Sequence, residues 1–325
     1  MLNWSSLPKP IVCLSPMADM TDSAFCQVVR EVTEEKGQKN DHLIVFREMV
    51  SAEAVVRGNE KTLDMTDIHP AERPLVQQIF GSDPATMAAA AQKIEAEHHP
   101  EGFDINMGCP VYKIVHNFNG CALMKDPVVA AQIVKEMKKV ITVPLSVKIR
   151  LGWSDPTDCL TFVEVLEDAG ADLITIHGRT KAQGYSGVAD WRMVGEARKR
   201  VKSIPVLVNG DIHKPELVQE ALVQSGADGV LIARGALGNP WFFAHQQEIA
   251  SGKSPSPISL EERVRVVGRH LDLHLEQYGE KAVSTFRKHL SWYFKGIPNF
   301  KPYKEPMMTA KTSEELRSIL TQLLP

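Results

Sequence analysis

The chain is short of the features that mark secreted, metal-binding and membrane proteins. Its five cysteines, Cys13, Cys26, Cys109, Cys121 and Cys159, are odd in number and show neither CxxC nor Cys/His metal spacing. That argues against a disulfide framework and a structural metal. The first ten residues, MLNWSSLPKP, are polar where a secretory leader would be apolar, so a reduced, cytosolic protein is expected. No apolar stretch approaches the ~20 residues that cross a bilayer, so no membrane partner is expected. The GxGxxG turn of a dinucleotide-binding sheet does not follow the first apolar run. A large charge excess is missing too: 37 Lys and Arg face 40 Asp and Glu, and the net of −3 points by itself away from nucleic acid.

What is present is a regular alternation. Eight short apolar or β-branched runs recur: IVCLSPM, LIVFREMV, PLVQQIFG, FDINMGC, PLSVKIRLG, ADLITIHGR, IPVLVNGDI and ADGVLIARGAL. Helical patterns lie between most of them, for example Phe25, Val28, Val29 and Val32, or Phe162, Val165, Leu166 and Ala169. Helix starts are marked at Thr21 or Asp22, at Asp126-Pro127 and at Thr157. Eight βα units predict an α/β protein, a (β/α)₈ TIM barrel, over residues 1–244. From Pro240 onward the pattern is helical only. GKSPSPIS, residues 252–259, reads as a linker, and Ser259 with Glu262 and Thr312 with Glu315 read as capping boxes. A small all-α domain is therefore expected over 245–325. It also holds the charge asymmetry: residues 241–325 carry 12 basic against 9 acidic residues, and 281–304 carries six basic residues, six aromatics and no acid.

Barrels of this kind hold their chemistry at the C-terminal ends of the strands. Those ends are polar throughout: Ser15-Pro16-Met17, Glu48, Gln78, Asn106 with Cys109, Lys148 with Arg150, His177 with Arg179, Asn209 with Asp211, and Arg234 with Gly235. Cys109 sits in a Gly-Cys-Pro turn, a setting for a pocket rim rather than a packed layer. A thiol keeps its proton at neutral pH where an exposed carboxylate has lost it, which suits a general acid acting on carbon. Lys148 shares a strand face with Ser146 and Arg150, and inside a barrel its ammonium needs an anionic or carbonyl partner. With His177 it would suit an electron-rich ring bearing carbonyl oxygens, such as a reduced flavin. Gly210, Gly235 and Gly238 follow the last two strands, where barrels commonly bind phosphate, and Arg234 adds charge.

The series SPMADMTDSAF, VQQIFGSDP, DINMGCPVYKI, GCALMKDP, VKIRLGW, IHGRTKAQGYSG, VNGDI and ARGALGNPWFF resembles that of the tRNA-dihydrouridine synthases, and RKHLSWYFKGIP extends the likeness into the helical region. The resemblance implies an FMN-dependent reduction of the C5=C6 bond of selected tRNA uridines, with NADPH reducing the flavin. Hydride would pass from flavin N5 to C6, and Cys109 would protonate C5. By motif match, Pro16, Met17, Gln78, Lys148, His177, Asn209, Gly210, Asp211, Arg234 and Gly235 would bind the cofactor, and Asn106 would sit beside the reacting ring. Arg47 stands where a small residue is expected, and NFNG precedes Cys121 where the family more often has small residues. Cys121 itself reads as packing.

The partner implied is tRNA. Arg287, Lys288, Lys295, Lys301 and Lys304 are the expected phosphate contacts and Tyr293, Phe300 and Tyr303 the expected stacking or shape contacts, joined at the barrel rim by Arg179, Lys181 and Tyr185. Other aromatics of the segment, Phe286, Trp292 and Phe294, have core spacing. Choice of uridine depends on how a large RNA lies over one mouth, which is a matter of surface shape rather than motif, and no motif specifies an oligomeric state. Two other classes fit parts of the pattern: a flavin barrel acting on a free pyrimidine or enone, as dihydroorotate dehydrogenases do, and a non-catalytic RNA-binding barrel. The basic, aromatic C-terminal region speaks against the first. The second would make Cys109 dispensable.

Overall fold

The structure, a computed structural model, describes residues 2–37 and 43–324. Each of the eight apolar runs forms a strand: β1 (Ile11–Leu14), β2 (Ile44–Ser51), β3 (Leu75–Phe80), β4 (Gly102–Met107), β5 (Leu145–Arg150), β6 (Leu173–His177), β7 (Val206–Asn209) and β8 (Gly229–Ile232). All neighbours are parallel and β8 pairs with β1, which closes the barrel in sequence order. Helices follow the strands on the outside, among them Ser23–Glu35, Pro84–His98, Pro127–Val140, Asp158–Asp168 and Trp191–Arg200. Their starts are written in the sequence: Asp22 accepts from Phe25 N–H, Asp83 from Thr86 N–H and Asp126 from Val129 N–H.

Side chains alternate in and out along each strand, and the inward set is graded by depth. At the bottom, Cys13, Phe46, Val76, Leu173, Leu207 and Leu231 pack with Trp4, which stops the N-terminal end. The next level is polar, with Gln78, Asp104, Ser146 and Thr175 all buried. Register then brings the mouth residues together: Asn106 pairs with Lys148, Arg150 with His177, and His177 with Asn209. A sealed apolar floor under a polar mouth confines the chemistry to one end.

The C-terminal helices, Leu260–Tyr278, Val283–Tyr293, Lys301–Thr309 and Ser313–Gln322, gather around their own apolar cluster, which includes Val267, Leu271, Phe286, Leu290 and Leu316. Ala24, Val28 and Val32 of the barrel helix Ser23–Glu35 belong to that same cluster and fasten the helices to the barrel. Arg269–Glu31 and Arg265–Glu35 ion pairs rim the seam. Residue 244, where the sequence pattern puts the end of the barrel, lies within the helix Phe242–Ala250, whose Phe242 and Phe243 pack into the barrel cluster. Residues 253–259 form no helix or strand, as their composition suggests. Ser259 and Thr312 both cap as expected, but only through their hydroxyls. The Glu262 carboxylate goes instead to Arg265 and Trp241, and that of Glu315 to Lys311 N–H.

The departure at Arg47 has a structural cause. Arg47 is buried and forms a 2.7 Å ion pair with the equally buried Glu72, while it donates to the carbonyls of Met65 and Asp67. Glu72 also accepts from Ser23 and from His69 N–H. The pair ties down the segment between β2 and β3, and Arg47 makes no approach to the mouth.

Candidate active site

A cavity of about 580 Å³ opens at the C-terminal ends of the strands, a size that suits a small-molecule cofactor. Cys109 stands on its wall, half-buried, in the turn leaving β4. Asn106 shapes that turn: its side-chain oxygen accepts from Gly108 N–H at 3.1 Å and Cys109 N–H at 2.9 Å. From β5, Arg150 donates through Nε to the Gly108 carbonyl at 2.8 Å and through Nη1 to the carbonyls of Thr180 and Gly184. The backbone of the turn that carries the thiol is thus held on two sides, by the half-buried Asn106 and the buried Arg150. Burial raises the Cys109 pKa above the ordinary thiol value, against smaller lowering influences from Val111 N–H, Arg150 and Lys148. Cys109 is therefore a neutral acid at physiological pH.

That state has a measurable sign. Iodoacetamide reacts with the thiolate, the form that burial disfavours, so the alkylation rate of Cys109 is expected to reach half its maximum above pH 9. A half-maximum at pH 8 or below would contradict this. The other four cysteines are buried and will not compete. Cys121 is packed near Met124 and the Gly152 carbonyl, and burial pushes its thiol up to about 12, in keeping with a packing role.

Below the turn runs a directional chain of hydrogen bonds that the sequence reading missed. Asp104, buried on β4, accepts from Ser146 Oγ and from Gln78 Nε2, both at 2.6 Å. A carboxylate only accepts, so the Gln78 amide must turn its oxygen the other way, where Asn106 Nδ2 meets it at 2.9 Å. Asn106 must then present its oxygen to the Cys109 turn. Asp104 thereby sets the orientation of both amides. Burial raises its pKa to about 6, partly offset by the Gln78 and Ser146 bonds and by the Lys148 charge. The signal was available, since Asp104 has the same strand parity as Asn106, two residues on.

On the facing strands Lys148 points into the cavity, its pKa lowered to about 8 chiefly by burial and then by Arg150, with Asp104 opposing. His177 is held neutral by burial and by the charges of Lys148, Arg150, Arg179 and Arg234. Gly210, at φ 112°, passes so close over His177 that a Cβ would fall 2.8 Å from the ring, and a Cβ on Gly235 would fall 2.5 Å from the Ile212 carbonyl. Only glycine fits at either position, and both residues line the cavity. Pro16, Met17, Gln78, Asn209 and Arg234 line the same cavity, so it unites the expected cofactor set, and its concentration of cations fits a phosphorylated, electron-rich group.

Other expected residues behave differently. Arg179 is buried, and its guanidinium is spent on the carbonyls of Ser186 and Gly187 and a 2.6 Å bond to Asp211. It braces the loop after β6 and presents almost no surface to solvent. Asp211 is likewise occupied, by Arg179 and by Ala189 N–H at 2.7 Å, and its pKa is held low by these bonds against burial. It also lines the cavity, 3.5 Å from Arg234. Arg287, half-buried, donates through Nη2 to the carbonyls of Thr309 and Ala310 at the end of the helix Lys301–Thr309, and Tyr293 is buried in the helical cluster, which corrects its reading as a stacking contact. Lys288 lines a second cleft of about 940 Å³ between barrel and helices, away from Cys109. Lys295 is exposed beside the Trp292 ring, and Trp292 itself reaches the first cavity. Tyr185 overhangs the cavity near His177 and Arg234, and Lys181 lies over the ring of Trp153 at the rim.

A closed barrel whose mouth gathers a cysteine, a lysine, a neutral histidine and a cationic end with two tightly packed glycines into one cavity defines a class, that of barrel enzymes with their site at the C-terminal ends of the strands. The particular family follows from sequence comparison. The family model described as Dihydrouridine synthase (Dus) matches residues 13–324, and the chain belongs to that family. It is 35% identical over 316 residues to a probable tRNA-dihydrouridine synthase 1 of Synechocystis sp., covering 96% of this chain and 86% of the relative. It is also 35% identical over 323 residues to a probable tRNA-dihydrouridine synthase of Mycobacterium tuberculosis, covering 98% and 82%. Among solved structures it resembles histamine dehydrogenase from Rhizobium sp. 4-9, with a TM-score of 0.58 at 13% identity over 84% of this chain and 50% of that one. A 2-naphthoyl-CoA reductase complex gives a TM-score of 0.56 at 12% identity over 77% and 52%. The chain spans about half the length of each of these two, and at such identities the likeness is one of fold. Family membership implies a flavin-dependent enzyme. No helix among the described residues is long and apolar enough to cross a membrane, and no group of His, Cys, Asp and Glu among them could hold a metal ion.

Proposed function

We propose that this protein is a tRNA-dihydrouridine synthase that reduces the C5=C6 bond of specific uridines in tRNA, using FMN and NADPH. The observation that carries the reading is the placing of Cys109, on a turn whose backbone is fixed by Asn106 and Arg150, in one cavity with Lys148 and His177. Lys148, His177, Gln78, Pro16, Met17 and Asn209 would hold the flavin ring and its carbonyl oxygens, and Gly210, Gly235 and Arg234 its phosphate. Bound and reduced by NADPH, the flavin supplies the hydride that goes to C6.

The chain's own part is acid catalysis and orientation. As C6 gains hydride, C5 becomes enolate-like, and Cys109 gives it the thiol proton. The thiolate left behind is stabilised by Val111 N–H, Arg150 and Lys148, the same groups that pull its pKa down against burial. The open mouth lets solvent return the proton. A uridine taken out of its stack can enter by the same route. Lys181, Tyr185, Lys288 and Lys295 remain as the RNA-facing set, and Trp292 joins the basic C-terminal segment to the cavity. Five unpaired thiols agree with a reduced cytoplasmic setting.

The test is chemical. Purified protein incubated with NADPH and unmodified tRNA is expected to add two hydrogens to particular uridines, seen by mass spectrometry of nuclease digests. Turnover of uracil, orotate or an enone without any action on tRNA would favour the small-molecule alternative.

A further inference from the structure

The loop that carries Cys109 presents more to solvent than a catalytic turn requires. Tyr112 is 75% exposed, Val111 56% and Phe118 40%, in a protein whose aromatic side chains are otherwise mostly buried. Phe118 has φ 58°, a left-handed backbone that a bulky residue rarely adopts, held by Phe118 N–H to the Val115 carbonyl. From Pro110 to Lys125 the chain has no acid, and it carries Lys113, His116 and Lys125. Lys125 and Lys181 both lie over the ring of Trp153, at 3.5 and 4.3 Å from its centroid. Across the mouth, residues 178–189 are also free of acid and expose Tyr185 to 63%.

Aromatic faces set among cations and lacking acids match nucleic acid, which offers phosphates and base planes together. The need is physical. When one uridine is drawn into the cavity, each neighbouring base loses a stacking partner and exposes a face at the mouth. Lys113 and Ile114 of the short helix Tyr112–Val115, with Val111 just before it, line the cavity, so this loop lies where those bases must pass.

We propose that the Cys109 loop is itself a nucleobase-stacking surface, in which Tyr112 and Phe118 cover bases flanking the extruded uridine while Lys113 and Lys125 meet the adjoining phosphates. The same segment would then hold the general acid and register it on the RNA. The NFNG departure from the family pattern gains a role here, since it supplies Phe118. This inference rests on the tRNA reading.

The experiment is a tRNA-binding titration of the flavin-loaded protein across a series of KCl concentrations, with unmodified tRNA transcript as the probe. Tyr112→Ala and Phe118→Ala are each expected to weaken binding roughly ten-fold, and Tyr112→Phe less than two-fold, with the salt slope unchanged because no phosphate contact is lost. Flavin content and the alkylation rate of Cys109 should match the parent protein, which shows that the loop is intact. Alanine variants that bind as the parent does, or a Tyr112→Phe loss equal to that of Tyr112→Ala, would overturn the proposal. So would alanine variants whose only change is reduced self-association in sedimentation, since the patch would then join copies of the chain. Failure of the parent protein to bind tRNA at all would remove the functional reading as well, an outcome distinct from the other three.

Discussion

Replacing Cys109 with alanine is expected to slow tRNA-dependent oxidation of the reduced flavin by about 10²–10⁴-fold in single turnover, the usual contribution of a positioned general acid. Flavin content should stay as in the parent protein. The reasons lie in the geometry: Asn106 and Arg150 bind the backbone of the turn, not the sulfur, so the loop keeps its shape when the thiol is removed. Cys121 cannot substitute, being buried near Met124 with its thiol pushed up to about 12. A variant retaining full single-turnover rate would remove Cys109 from the chemistry and restore the non-catalytic reading.

The second large effect is expected from Lys148→Met. The ammonium is the cationic donor inside the barrel wall, and loss of a charge-assisted hydrogen bond is worth roughly 1.5–3 kcal/mol, so flavin affinity should fall about 10- to 100-fold. Titration of apo protein with FMN, followed by fluorescence quenching, measures this directly. Stability should move the opposite way. Burial lowers the Lys148 pKa to about 8 from its ordinary 10.5, so between these values the unfolded chain holds a proton that the folded chain has released. Stability of the apo protein therefore rises with pH across that window, and below it the folded state carries a poorly solvated charge. Methionine removes both the charge and the slope, and the apo variant is expected to melt higher than the apo parent near pH 7. A variant that binds FMN as tightly as the parent would place the cofactor elsewhere in the mouth.

Much of the architecture was legible because parallel strands buried on both faces leave continuous apolar runs, while their C-terminal ends carry the polar residues a mouth requires. All eight runs became strands, and Gln78, Asn106, Lys148, His177 and Asn209 fell into one cavity through register alone. What stayed hidden was who spends which hydrogen bond on whom. Arg179 and Arg287 look like free cations in sequence, yet their partners, Asp211 and the carbonyls of Thr309 and Ala310, lie 22 to 32 residues away. The Arg47 pairing with Glu72 is hidden for the same reason. Asp104 was concealed by its setting, a carboxylate inside an apolar run whose function is to orient two amides.

The helical region divides similarly. Its hydroxyl caps and linker could be read from residue type, but the packing of His270, His274 and His289 between Phe25, Phe286 and Tyr293 could not, because histidine has no fixed preference for core or surface. Exposure of Tyr112 and Phe118 is a tertiary property as well. Aromatic residues beside valine and isoleucine read as core until the fold shows how much of them it leaves exposed.

The measurement that tests the central claim most directly is an anaerobic absorbance trace. The purified protein is reduced with NADPH until the flavin band bleaches, and unmodified tRNA is then added. Rapid return of the band, dependent on tRNA and absent with tRNA already fully converted to dihydrouridine at its target, is the predicted result. A protein that carries no flavin, or a reduced flavin indifferent to tRNA and reoxidised by a small pyrimidine or enone, would contradict the account.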